Sequence, residues 1–88
     1  MQKHESITVV AWLPGQPLSQ VEADLGLQGF DQLTTPVEHT ADGIVGLACK
    51  VNLIDEATAL EADLIDAGFN ACLAGRHYKP GWSIRADQ

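Results

Sequence analysis

The chain has 88 residues but only five Lys and Arg against twelve Asp and Glu, a formal net charge of −7. Between Lys3 and Lys50 there is no Lys or Arg at all. Nucleic-acid binding needs cations for the phosphates, so this balance excludes general affinity for DNA or RNA. No apolar run approaches the ~18 residues that a membrane span requires, and Met1-Gln-Lys-His-Glu-Ser6 carries neither the basic nor the apolar region of a signal peptide. The expectation is a cytoplasmic protein that meets no membrane.

Cysteine is scarce too. Cys49 and Cys72 are spaced neither as zinc ligands nor as a redox pair. His4, His39 and His77 share no metal-ligand spacing. Glu38 and His39 are adjacent, and neighbours on a strand point to opposite faces. No cofactor or metal is therefore expected, and no base–nucleophile pair stands out as catalytic.

Among the residues present, Leu53 to Phe69 form the clearest pattern. Asp55 suits an N-cap, with Glu56 next to it at the positive end of the dipole. Ala57, Leu60, Leu64 and Ala67 follow on one helical face. Gly68 and Phe69 supply a left-handed stop and an apolar residue that folds back. This predicts a helix over 56–67. An echo lies 39 residues earlier: Val21-Glu-Ala-Asp-Leu-Gly-Leu-Gln-Gly-Phe30 matches Leu60-Glu-Ala-Asp-Leu-Ile-Asp-Ala-Gly-Phe69 at Glu, Ala, Asp, Leu, Gly and Phe. A first helix is predicted over 17–28, and a structural half-repeat with it.

Strands fill the gaps. Ile7 to Leu13 is apolar in both alternating sets, as a central strand covered on both faces would be. Asp31 to Thr40 holds Pro36, which removes a ladder donor and predicts an edge. Ile44 to Leu53 and Asn70 to about Tyr78 complete the set. Lys79-Pro-Gly-Trp82 reads as a type II turn, and Ser83 to Arg85 as a possible short return strand. The order βαββαβ, with right-handed crossovers, predicts a single domain of α+β class. Its form is a ferredoxin-like two-layer sandwich, with a four-stranded antiparallel sheet in the order 4-1-3-2 and both helices on one face. Cys49 and Cys72 then lie two strand spacings apart, about 9.6 Å, beyond the ~7 Å reach of a disulfide.

Leu13-Pro-Gly-Gln-Pro-Leu18 resembles, over six residues, the Pro-Gly turn between first strand and first helix of ACT-type regulatory ligand-binding domains. The likeness stops there and identifies no family. The chain has no Cys-x-x-Cys of a metallochaperone, no aromatic RNA-binding strand motif and no acylphosphatase anion loop.

Three functional expectations follow. The first is a small non-enzymatic interaction module, an adaptor or inhibitor that meets a basic partner through an acidic surface including Glu56, Asp63 and Asp66, or through its open sheet face. Small acidic proteins of mobile elements that block a nucleic-acid-binding enzyme are one form of it. The second is a regulatory domain binding an anion or carboxylate at Arg76, His77, Tyr78, Lys79 and Trp82. The third is a dimeric ferredoxin-like enzyme. If the repeat register holds through the strands, Leu25, Leu60 and Leu64 are buried, with Val10, Trp12, Leu47, Cys49 and Val51 beneath them. Ile7, Val9, Ala11 and Leu13 then face outward beside Ala48, an apolar patch that predicts a homodimer or a protein partner. The alternative is that the segment from Trp82 to Gln88 covers the patch.

The charge makes one outcome testable at once. In a gel-shift assay at physiological salt, the protein should leave duplex DNA unretarded.

Overall fold

The computed structural model describes residues 7–75 and 81–84. Its elements run β1 (Ile7–Trp12), α1 (Leu18–Leu27), β2 (Thr35–His39), β3 (Val45–Val51), α2 (Ile54–Asp66), β4 (Asn70–Gly75) and β5 (Trp82–Ile84). The strands form one antiparallel sheet in the order β4-β1-β3-β2-β5. The fold is α+β and broadly ferredoxin-like, extended by one strand.

The fifth strand corrects two expectations. The sheet has five strands rather than four, because Trp82–Ile84 pairs with β2 instead of returning along β4. Consequently β2 is not an edge. Pro36 is still accommodated. The described ladder to β5 covers Val37, Glu38 and His39, while Pro36 is matched only to Leu47 of β3.

Both helices end as their sequences predict. Gly29 and Gly68 have φ of 87° and 100°, a left-handed conformation that costs glycine nothing. Phe30 N–H donates to the Leu25 carbonyl at 2.9 Å and Gly29 N–H to that of Gly26 at 3.2 Å. At the second end, Phe69 donates to Leu64 and Gly68 to Ile65, both at 3.0 Å. These are two Schellman motifs. The two phenylalanines that close them meet edge to face, with ring centroids 6.0 Å apart. The helix starts differ from expectation. Leu53, not Asp55, is the N-cap of α2, and no side chain caps it. Asp55 and Glu56 sit in the first turn, where their charge still complements the dipole. Pro17 precedes α1 rather than opening it.

The sheet faces are reversed relative to the repeat register. Directly opposed residues share a face, and β1 pairs Val9 with Cys49 and Ala11 with Leu47. That set packs under Val21 and Leu25 of α1 and Ala57, Leu60 and Leu64 of α2. Val10 lies on the other face with Val37, Ala48, Ala74 and Trp82, against which Trp12 packs. On β1 the set under the helices is Val9 and Ala11 and on β3 it is Leu47 and Cys49, so the faces correspond by an even offset and not by 39. The 39-residue offset holds at the helix C-termini. It also holds at the strand ends, Trp12 and Val51, because α2 is three residues longer than α1 where its connection is three residues shorter, yet the faces of the strands do not follow it. Leu60, Leu64, Leu25 and Leu47 are buried as expected, whereas Val10 and Trp12 are not under the helices.

Two glycines illustrate what the packing allows. Gly46 is buried on β3, and a Cβ there would stand 2.5 Å from the Ala11 carbonyl oxygen and 3.2 Å from Trp12 Cβ. Gly26 lies in α1 with open space around it. In urea denaturation, Gly46→Ala should cost about 1–3 kcal/mol by overpacking. Gly26→Ala should instead gain about 0.5–1 kcal/mol from helix propensity.

Candidate functional site

The face away from the helices carries an open cleft of about 360 Å³, lined by Trp12, His39, Asp42, Ile44, Cys72, Leu73 and Trp82. Its floor is the outward set of the sheet. β1 contributes Trp12, β4 contributes Cys72, and the end of β2 contributes His39. Trp82 arrives from β5 and is 9% exposed. Its indole lies 5.2 Å from that of Trp12 at a tilt of 46°, and 4.9 Å from the His39 ring. This stack is possible because β5 sets Trp82 directly opposite His39.

The turn from β2 to β3 holds the polar end of the cleft. Gly43 N–H donates to the His39 carbonyl at 2.8 Å, and His39 N–H to that of Ile44 at 2.8 Å. The turn thereby brings Asp42 back to His39, with Oδ1 and Nδ1 2.7 Å apart. The hydrogen bond to His39, with the ring's charge as a smaller cause, lowers the Asp42 carboxyl below its usual range. A depressed carboxylate stabilises the fold above its unfolded value, ~3.9. That contribution is lost as pH falls through the lowered native value. Thr40 ties the turn to β5: both its backbone N–H, at 2.7 Å, and its hydroxyl, at 3.1 Å, donate to the Gly81 carbonyl.

Cys72, His39 and Asp42 all line the cleft, but the thiol is not set up as a nucleophile. Burial pushes the Cys72 thiol up, and a hydrogen bond from the Trp82 side chain offsets only part of that. A thiol held protonated is a poor nucleophile. Cys49 is raised by burial as well, and both cysteines are free. They lie on opposite faces of the sheet as well as on strands separated by β1. Among the described residues, no group of three or more His, Cys, Asp or Glu is placed to hold a metal, and no helix is long and apolar enough to cross a membrane.

The residues singled out from the sequence are distributed unevenly. Trp82 is in the cleft, and Arg76, His77, Tyr78 and Lys79 lie outside the described residues. Of the proposed interface, Val9 and Ala11 are fully buried beneath the helices, with Ile7 and Leu13 packed against the same core. They cannot form an exposed patch. Ala48 is on the opposite face and buried there. Glu56, Asp63 and Asp66 are exposed on α2, as expected. Sequence reasoning missed Trp12, His39, Asp42 and Cys72 as one group. The sequence signal nearest to the His–Asp contact is Ala41-Asp42-Gly43, a turn composition between the second and third strands.

Three comparisons with known proteins, against family models, curated proteins and solved structures, found no match to this chain.

A tryptophan buries about 150–250 Å², worth about 4–6 kcal/mol at 25 cal/mol per Å². Ordering three backbone residues costs about 3–6 kcal/mol. Trp82 therefore supplies most of what holds β5. Trp82→Ala should lower stability by about 3–5 kcal/mol and expose Trp12. A red-shifted Trp12 fluorescence emission reports that exposure.

Proposed function

We propose that the protein is a non-enzymatic interaction module, an adaptor or inhibitor that docks on a basic partner through its helical layer. One observation carries this reading: the distribution of charge over the two helices. α1 contributes Glu22 and Asp24, and α2 contributes Asp55, Glu56, Glu61, Asp63 and Asp66, with no Lys, Arg or His in either helix. Glu56, Asp63 and Asp66 are fully on the solvent side of α2, and Glu61 is half-buried at its flank. Interspersed charges of both signs would serve solubility. A single-sign layer instead generates a field that steers an oppositely charged protein and disfavours wrong partners. Leu27, at 84% exposed, and Ile65, at 53%, supply apolar contact within the same layer.

A second reading rests on the cleft. Trp12, Trp82 and Ile44 offer an apolar wall with His39 and Asp42 at its rim, the composition of a small-ligand site. The Trp82 expected to bind a ligand is part of that wall.

Affinity capture from the native host, read by mass spectrometry, separates the two. The first reading expects a basic protein that elutes with salt and is lost from the triple variant Glu56→Gln, Asp63→Asn, Asp66→Asn. Far-UV circular dichroism should show that this variant is folded. Capture of no protein, with a small molecule co-purifying and released by Trp12→Ala, would favour the second.

A further inference from the structure

β4 stands at one end of the sheet, and among the described residues no strand pairs with its outer edge. Its inner edge is in regular register with β1 over Asn70 to Leu73. Exposed strand edges are ordinarily blunted by charge, proline or shortness. Asn70-Ala-Cys-Leu-Ala-Gly75 has six residues, no charge and no proline. At the opposite end of the sheet, β5 has three residues. Among the described residues the unguarded edge is therefore β4.

Its two flanks differ in chemistry. On the helix side α2 packs over β4, bringing five carboxylates and no cation. Glu61 is close enough that its charge adds to the effect of burial in raising the Cys72 thiol. Ile65 is exposed one turn further on. On the other side Cys72 and Leu73 border the aromatic cleft of Trp12 and Trp82. A strand laid along β4 projects alternate side chains to the two sides. One set would meet α2's carboxylates and the other the apolar cleft.

We propose that β4 is a docking edge that takes an extended segment of another protein as a sixth strand, a segment alternating cationic and apolar residues. Main-chain hydrogen bonds along the edge supply affinity, and the two unlike flanks supply register and specificity. The charge of α2 excludes a second copy of this chain as occupant. Pairing β4 with β4 about a two-fold axis would set two such helices side by side, carboxylate against carboxylate. The proposal rests on reading the helical layer as a surface for a basic partner, and names where and in what conformation that partner binds.

The test uses the full chain and a capped decapeptide of alternating Val and Lys, followed by calorimetry. Its counterpart, N-methylated at every backbone nitrogen, keeps the charge and cannot add as a strand. Binding should weaken at least tenfold on N-methylation and several-fold with Glu61→Gln, and the peptide should slow hydrogen exchange in residues 70–75. Equal binding of the two peptides would overturn the docking edge while leaving the acidic-surface reading standing. Binding of neither, at low salt, would overturn both. A free chain that light scattering finds dimeric, and that the peptide converts to monomer, would assign the edge to a second copy and overturn the proposed occupant.

Discussion

Val9, Val10 and Ala11 are consecutive on β1 and none is exposed to solvent. Successive strand residues point to opposite faces, so the sheet has to be covered on both. The helices cover one side, with Leu25 and Leu64 buried over Val9 and Ala11. Among the described residues no helix remains for the other. That cover comes from Trp82, reaching in from a strand three residues long, with Trp12, Val37 and Ala74 around it. β4 and β5 consequently stand at opposite ends of the sheet instead of pairing with each other.

Among the described residues this cover is incomplete, and the cleft is what it leaves. One indole and a few small side chains do not fill the space that a helix would. The gap left beside Trp82 is bordered by Cys72 on one side and by the His39–Asp42 pair on the other. Gly46 contributes by letting β1 and Trp12 approach closely, which no larger residue would permit. Thr8, also on β1, is fully buried, and its hydroxyl has no hydrogen-bond partner among the described residues. Leaving such a group unpaired costs about 1–3 kcal/mol, so packing on this strand outweighs polar satisfaction at that position.

Charge and core are kept apart. The buried residues of α2 are Ala57, Leu60 and Leu64, and the acids lie on the rest of its circumference, with Ile54 and Ile65 exposed among them. Burial beneath the helix depends on none of those acids. Their placement is free to answer to partners, and the flank over β4 is where acid, apolar side chain and open backbone edge come together.

The helix positions, their Schellman ends, the centrality of β1 and the order of the first four strands were all legible in the sequence. Each is written in local signals: a 3.6-residue period, a Gly-Phe stop, a strand apolar in both sets. The acidic residues of α2 were legible for the same reason, since a helical period determines which positions a helix buries. Which face of β1 lies under the helices was not. Both sets are apolar, so the pattern carries no preference, and the repeat offset, which matches the helix ends, does not match the faces of the strands. The partner of β5 was equally invisible, because a three-residue strand has no periodicity and its pairing is settled by where Trp82 finds a surface to bury. The cleft depends on both of those decisions, and so only the tertiary structure assembled it: Trp12, the His39–Asp42 turn, Cys72 and Trp82 come from four separate parts of the chain, and what brings them together is the need to cover a sheet face that the local sequence never specified.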